Sequence, residues 1–185
     1  MVNYTRAKNE HDLKQILTLQ QSNLAKNISA EILQQQGFVT VQHSFEDLKK
    51  MSFFEQSVIA KDDETVIAYA LAMTQHSKKN IPVLVPMFEL FDNLFYAGKK
   101  IAETNYMVVG QVCVADGYRG QGIFDSLYNT YKQQFQDKYD FAITEISARN
   151  QRSLKAHQRV GFKTVHEYAA PNGENWHIVL WDWNL

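Results

Sequence analysis

Tyr106-Met107-Val108-Val109-Gly110-Gln111-Val112-Cys113-Val114-Ala115-Asp116-Gly117-Tyr118-Arg119-Gly120-Gln121-Gly122 is the stretch on which the reading of this chain turns. Its first nine residues are too apolar for a strand with a wet face, which predicts a central strand. Gly110 within it predicts a bulge or a close approach by another group. The loop that follows holds Gly117, Gly120 and Gly122, three of the eight glycines in the chain, so backbone freedom is needed there. Past the loop, Ile123, Phe124, Leu127, Tyr128, Tyr131 and Phe135 form a stripe about 140° wide at ~100° per residue. Asp125, Asn129, Lys132, Gln133 and Gln136 take the other side, so a helix is predicted over 122–136. A strand, a glycine loop and a helix N-terminus together suit an anion, because unpaired N–H groups converge where glycines let a phosphate approach. Arg119 adds a fixed charge. No Lys-Ser/Thr follows the glycines, and Gly120-x-Gly122 runs on into Ile123-Phe124-Asp125, so neither the Walker nor the dinucleotide pattern is met. An ordinary tight strand-to-helix turn would read the same way on this stretch alone.

Outward from this segment, the 185 residues predict one domain. Apolar residues at 45% and charged residues at 21% fit an ordinary globular chain, and they exclude disorder and coiled coil. A net charge of −1 supplies no global field for nucleic acid or an anionic membrane, and neither is expected as a partner. The lone cysteine, Cys113, can form no internal disulfide and suits a reducing compartment. The N-terminus lacks a signal-peptide apolar stretch, and no run approaches 18 apolar residues. A cytoplasmic location is the expectation.

Upstream, the pattern predicts a strand over 2–6 and a helix capped by Asn9 carrying Leu13, Ile16, Leu17, Gln20 and Leu24. A second helix is expected over 29–36, stopped by Gly37. Ser44-Phe45-Glu46-Asp47 reads as a capping box opening a short helix. Strands over 57–61 and 66–73 flank the polar turn Asp62-Asp63-Glu64. Residues 76–105 interrupt this rhythm. Met87, Leu90, Phe91, Leu94 and Phe95 recur at helical spacing behind Pro82 and Pro86, which predicts a helical insertion. Downstream, a strand over 141–147, a helix over 151–160 ended by Gly161, and strands over 164–168 and 177–183 joined through Pro171-Asn172-Gly173 complete an α/β (α+β) layered domain.

A second constellation narrows the class. Asn150, Ser153 and His157 fall at i, i+3 and i+7, within about 60° on one helix face, followed by Gly161-Phe162. With Val112-x-Val114 and Arg119-Gly120-Gln121-Gly122, this set resembles the GNAT (Gcn5-related N-acetyltransferase) superfamily. The first family motif, R/Q-x-x-G-x-G/A, is met by Arg119 and Gly122, with Phe124 in place of the final small residue. The second, N-x-x-A/S-x-x-x-Y-x-x-x-G-F, is met with His157 at the tyrosine position. The likeness covers the C-terminal half closely and the N-terminal half by element order. It implies a mixed, mostly antiparallel central sheet flanked by helices, residues 1–185 as a single acetyltransferase domain, and the insertion near 76–105.

The resemblance also implies roles. The loop amides of Arg119, Gly120, Gln121, Gly122, Ile123 and Phe124 would bind the pyrophosphate of acetyl-CoA, the co-substrate. Val112 and Val114 would pair with the pantetheine arm and aim a fixed N–H where charge develops on the thioester oxygen. Cys113 between them reads as a packed small hydrophobe rather than a nucleophile. Asn150 and Ser153 stand at polar positions near the cofactor arm, and Asn150 also stands where a helix N-cap would. His157 replaces the tyrosine that gives its proton to the departing thiolate. It is either that general acid or a hydrogen-bond partner of sulfur or backbone.

Glu145, in the apolar strand Ile143-Thr144-Glu145-Ile146, is the candidate base, since partial burial raises a carboxyl pKa toward neutrality. A strand residue reaching the sheet edge or a cation is the other reading. His11, His43, His76, His166 and His177 show no metal-ligand spacing, and no metal is expected. Trp176, Trp181 and Trp183 read as core or dimer packing. The function expected is transfer of an acetyl group to a primary amine of a small molecule or peptide. A non-catalytic acyl-CoA-binding module is the alternative. The insertion is expected to act as a lid over the acceptor site or as a homodimer contact, since its apolar face is too large to leave in water.

Overall fold

The computed structural model describes residues 1–29 and 37–184; apart from Ser29, the helix expected over 29–36 lies outside the described residues. The strands are β1 (Val2–Arg6), β2 (Val58–Asp62), β3 (Thr65–Met73), β4 (Phe95–Tyr96), β5 (Lys99–Lys100), β6 (Tyr106–Val114), β7 (Phe141–Ser147), β8 (Lys163–Ala169) and β9 (Asn175–Asp182). The helices are α1 (Glu10–Asn23), α2 (Phe45–Phe54), α3 (Val85–Asn93), α4 (Ile123–Phe135) and α5 (Gln151–Val160). Seven strands form one sheet in the order β1-β2-β3-β6-β7-β9-β8, and β4 with β5 makes a separate hairpin. Every pairing is antiparallel except β6 with β7. The layered, mostly antiparallel sheet expected from the sequence is therefore present.

β6 is central because it has no side to give to water: Tyr106, Met107, Val108 and Val109 are all buried. One face of the sheet packs Tyr69, Leu71, Met73, Val108 and Ile143 against α1, α2 and α3. The other packs Ala68, Ala70, Ala142 and Val179 against the apolar stripes of α4 and α5. Leu127, Tyr128, Tyr131 and Phe135 are wholly buried along α4, Leu127 and Phe135 each contributing roughly 1.5–3 kcal/mol of burial. Local signals fix the helix ends. The Asn9 side chain accepts from the Asp12 amide, and Ser44 and Asp47 form the reciprocal capping box. Gly161 ends α5 at φ 124°, and a Cβ there would lie 2.6 Å from Trp181 Nε1, so glycine is required on two counts.

The insertion differs from expectation. Its helix stops at Asn93, and Ala97 and Gly98, at φ 49° and 79°, reverse the chain into the β4–β5 hairpin. Phe88 and Phe91 are the side chains buried in the core, whereas Phe95 rides the hairpin at 71% exposure. The whole segment is anchored where β6 begins. The Tyr106 hydroxyl donates to Asp92 (2.8 Å), and Tyr96 meets Phe141 edge-on. The lid expected over the acceptor site gains no support from this placement: none of the described residues lining the two cavities toward the other end of β6 belongs to 76–105. Trp181 and Trp183 are core residues on the α4 side.

Candidate active site

β6 and β7 pair in parallel from Tyr106↔Phe141 to Val108↔Ile143, and among the described residues their pairing goes no further. The cause is a bulge. Val112 pairs with Ala70 and Val109 with Ala72, so Gly110 and Gln111 occupy the space of one residue and bend β6 away. A Cβ on Gly110 would lie 2.6 Å from Met73 Cε, so any larger residue there would have to displace the end of that methionine. At the fork, Thr144 Oγ1 donates to the Val109 carbonyl (2.8 Å), closing the last gap between the strands. Beyond it, Val112 and Val114 pair with β3 on one edge only, and the other edge opens on a cavity of about 680 Å³.

That cavity runs to the glycine loop. Gly120 and Gly122 sit at φ 76° and 77°, and a Cβ on either would meet nothing within 4 Å. The loop is thus open where an anion would approach. Gly122 caps α4 with no side-chain hydrogen bond, leaving the first-turn amides to a ligand. The residues present fit a pyrophosphate. Arg119 lines this cavity, but its side chain is also structural: Nε donates to the Val114 carbonyl (3.1 Å), and the guanidinium reaches Asn23 Oδ1 and Asp116. It binds the end of β6, the end of α1 and the loop into one unit. Gln121 turns its amide back onto the Gly117 carbonyl (2.8 Å). Cys113 is buried and its thiol is pushed up to about 12 by that burial, which suits packing rather than nucleophilic work.

A smaller cavity of about 80 Å³ shares Phe38, Val39, Val112, Asn150 and Ser153 with the larger one and adds Gln111, Thr144, Glu145, His157 and Trp176. The structure therefore brings both candidate catalytic residues to one place. Glu145 reaches it from the α1 face of β7 and His157 from the α5 face, through the opening between the parted strands. Burial pushes the Glu145 carboxyl above the ordinary carboxylate value, partly offset by the Tyr168 hydroxyl, which donates to Oε2 at 2.6 Å.

His157 is sealed, at 1% exposure. Its Nδ1–H donates to the Ser153 carbonyl (2.8 Å), which fixes the neutral tautomer by partner and leaves Nε2 to accept from the Tyr128 hydroxyl (2.6 Å). Burial lowers its pKa to about 4. Phe124 packs edge-on against this ring at 5.2 Å. The two departures from the family motifs thus touch each other and form one aromatic cluster with Tyr128 and Phe162.

Because an unfolded histidine titrates near 6.5, this ring binds its proton more readily unfolded than folded. Its contribution to stability is full above pH 6.5 and is lost as pH falls toward 4. The loss amounts to on the order of 3 kcal/mol in all and about 2 kcal/mol by pH 5. Denaturant titrations at pH 7.5 and 5 should show His157→Gln lacking that slope. The carboxyls held below their ordinary values, Asp12, Glu55 and Glu174, act only at lower pH, and His43, lowered by burial, adds a slope of its own that the variant keeps.

Asn150 does two jobs. Its Oδ1 accepts from the Ser153 amide (3.2 Å), capping α5, while Nδ2 donates to the Phe38 carbonyl (3.0 Å). It thereby ties down a strap, residues 37–43, that walls both cavities. Val39 bridges Leu24, and the Val41 carbonyl accepts from Gln111 Nε2 (2.8 Å). Gln111 Oε1 in turn accepts from the buried Tyr69 hydroxyl (2.6 Å). Reasoning from sequence missed the strap, which carries no period or motif. Gln111 did leave a signal, a polar side chain in an apolar strand. Among the described residues no group of three His, Cys, Asp or Glu could hold a metal, and no helix is long and apolar enough to cross a membrane.

The chain belongs to the acetyltransferase (GNAT) family, whose family model matches residues 27–162. No curated protein sequence matches it. Among solved structures it is similar to the polyamine N-acetyltransferase of Drosophila melanogaster, an enzyme that forms N-acetylagmatine (TM-score 0.66, 13% identity, 98% of this chain and 100% of that one). It is also similar to a chain of the NatC complex bound to Gag peptide and CoA (TM-score 0.65, 13% identity, 98% of each chain). The ribosomal-protein-S18-alanine N-acetyltransferase of Escherichia coli follows at TM-score 0.60 and 12% identity, over 98% of this chain and 94% of that one. At such identities the likeness establishes the fold. Family membership establishes acetyl transfer as the general reaction type.

Proposed function

We propose that this protein, as one domain, transfers an acetyl group from acetyl-CoA directly to a primary amine of a small molecule or peptide. One observation carries the reading: a single opening between β6 and β7 joins an uncapped glycine loop to a half-buried carboxyl. The amides of 119–124 would hold the pyrophosphate, and the free edge of Val112 and Val114 the pantetheine arm. The bulge at 110–112 would aim N–H groups at the thioester oxygen as charge builds there. Glu145 takes a proton from the attacking amine, the new C–N bond forms, and the C–S bond breaks to release thiolate.

His157 is assigned a positioning role in place of general acid, since its one proton is held on its own helix. The hydroxyl of Ser153, which lines both cavities, is the group placed to donate a hydrogen bond to the departing sulfur. The sealed histidine also favours the competing reading, a binding module without chemistry. A panel of primary amines incubated with acetyl-CoA, following free thiol and acetylated product, separates the two. Thiol release coupled to product supports transfer; tight acetyl-CoA binding with no product across the panel supports the module.

A further inference from the structure

We infer that Tyr168 is the positioning residue for Glu145, holding its carboxylate toward the opening between β6 and β7. The inference rests on the proposal that Glu145 is the base. Tyr168 lies on β8, one strand beyond β9 from Glu145, and is absent from the lining of both cavities. It nevertheless spans the sheet face to place its hydroxyl 2.6 Å from Glu145 Oε2. A carboxylate has two oxygens, and this bond engages one of them. Oε1 is left to take a proton from an amine.

The surroundings make this bond the main polar hold on the group. On β9, Ile178 pairs opposite Glu145, with Trp176 beyond it. On β8, His166 pairs with the same Ile178 and stacks on the Tyr168 ring at 6.4 Å between centroids. On β6 the facing polar side chain is Gln111, committed to Tyr69 and Val41. On α5 it is His157, held neutral. Burial and the Tyr168 hydroxyl are the two influences resolved on the Glu145 carboxyl, acting in opposite directions. Removing the hydroxyl leaves burial unopposed, and the proton is held to higher pH.

The test follows the Glu145 carboxyl by ¹³C NMR in the full chain, with the signal assigned by its loss in Glu145→Gln. The pH profile of acetyl transfer is run in parallel, using acetyl-CoA and the amine that the panel identifies. Tyr168→Phe keeps the ring and its packing. The titration midpoint and the acidic limb of kcat/KM are expected to rise together, and the plateau of kcat at high pH is expected to fall about tenfold, because the released carboxylate no longer faces the opening. An unchanged midpoint, or a plateau equal to that of wild type, overturns the positioning role. If the limb instead persists in Glu145→Gln, the base assignment fails and takes the inference with it, an outcome distinct from a failure at Tyr168 alone.

Discussion

Glu145→Gln is expected to lower kcat by about 10²–10⁴-fold, the usual contribution of a positioned general base. Glutamine keeps the shape of the side chain and can still accept the Tyr168 hydroxyl, so β7 and its neighbours need not rearrange. What is lost is the ability to take a proton. The KM for acetyl-CoA should change little, because Glu145 lines the small cavity and not the large one. In wild type, kcat/KM should rise with pH through an ionisation above the ordinary carboxylate range, the direction that burial imposes on this group. That limb should vanish in the variant. Stopped assays of thiol release across pH 5 to 9 are the measurement. A variant with wild-type kcat and an intact limb would leave Glu145 as a buried partner of Tyr168 and nothing more.

The second large effect is at the loop. Gly120→Ala with Gly122→Ala should weaken acetyl-CoA binding by about two orders of magnitude, since one or two charge-assisted hydrogen bonds to phosphate are at stake. Two causes combine. A Cβ at either position projects into open space where the anion would lie, and φ near 77° resists any L side chain, so the amides shift as well. Gly98→Ala is the control. It sits at φ 79° with nothing within 4 Å, yet belongs to the hairpin far from the cavity, so it should cost about half as much stability as the double change and leave binding intact. Calorimetric titration with acetyl-CoA, alongside a thermal melt of each variant, distinguishes a lost cradle from a weakened fold.

The legible parts were those with a period or a forced backbone. β7 and α5 match the expected bounds of 141–147 and 151–160, the first from its apolar run and the second from its stop at Gly161. The glycine loop was legible because left-handed backbone in a glycine-poor chain leaves few alternatives. The bulge at Gly110 was legible too, although the methionine packed against it lies 37 positions earlier in the chain, at Met73. Other features were invisible in principle. Helical periodicity placed Tyr128 on the stripe of α4 but is blind to the direction of its hydroxyl, which meets His157 across two helices. The chemistry of His157 is decided by that partner and by the Ser153 carbonyl, not by its position in a motif. The helix of the insertion was overextended to Phe95 because a period cannot register a two-residue turn such as Ala97-Gly98 that reverses the chain. The strap of 37–43 is held by side chains from α1, β6 and α5, and none of those contacts is local.

The most direct test of the account is the structure of the acetyl-CoA complex. The pyrophosphate is expected against the amides of 119–124, the pantetheine arm in the gap beyond Val108 and Ile143, and the acyl carbon at the junction of the two cavities with the Glu145 carboxylate on its acceptor side. An acetyl-CoA bound with its phosphates away from the glycine loop, or with its arm outside the gap between β6 and β7, would contradict it.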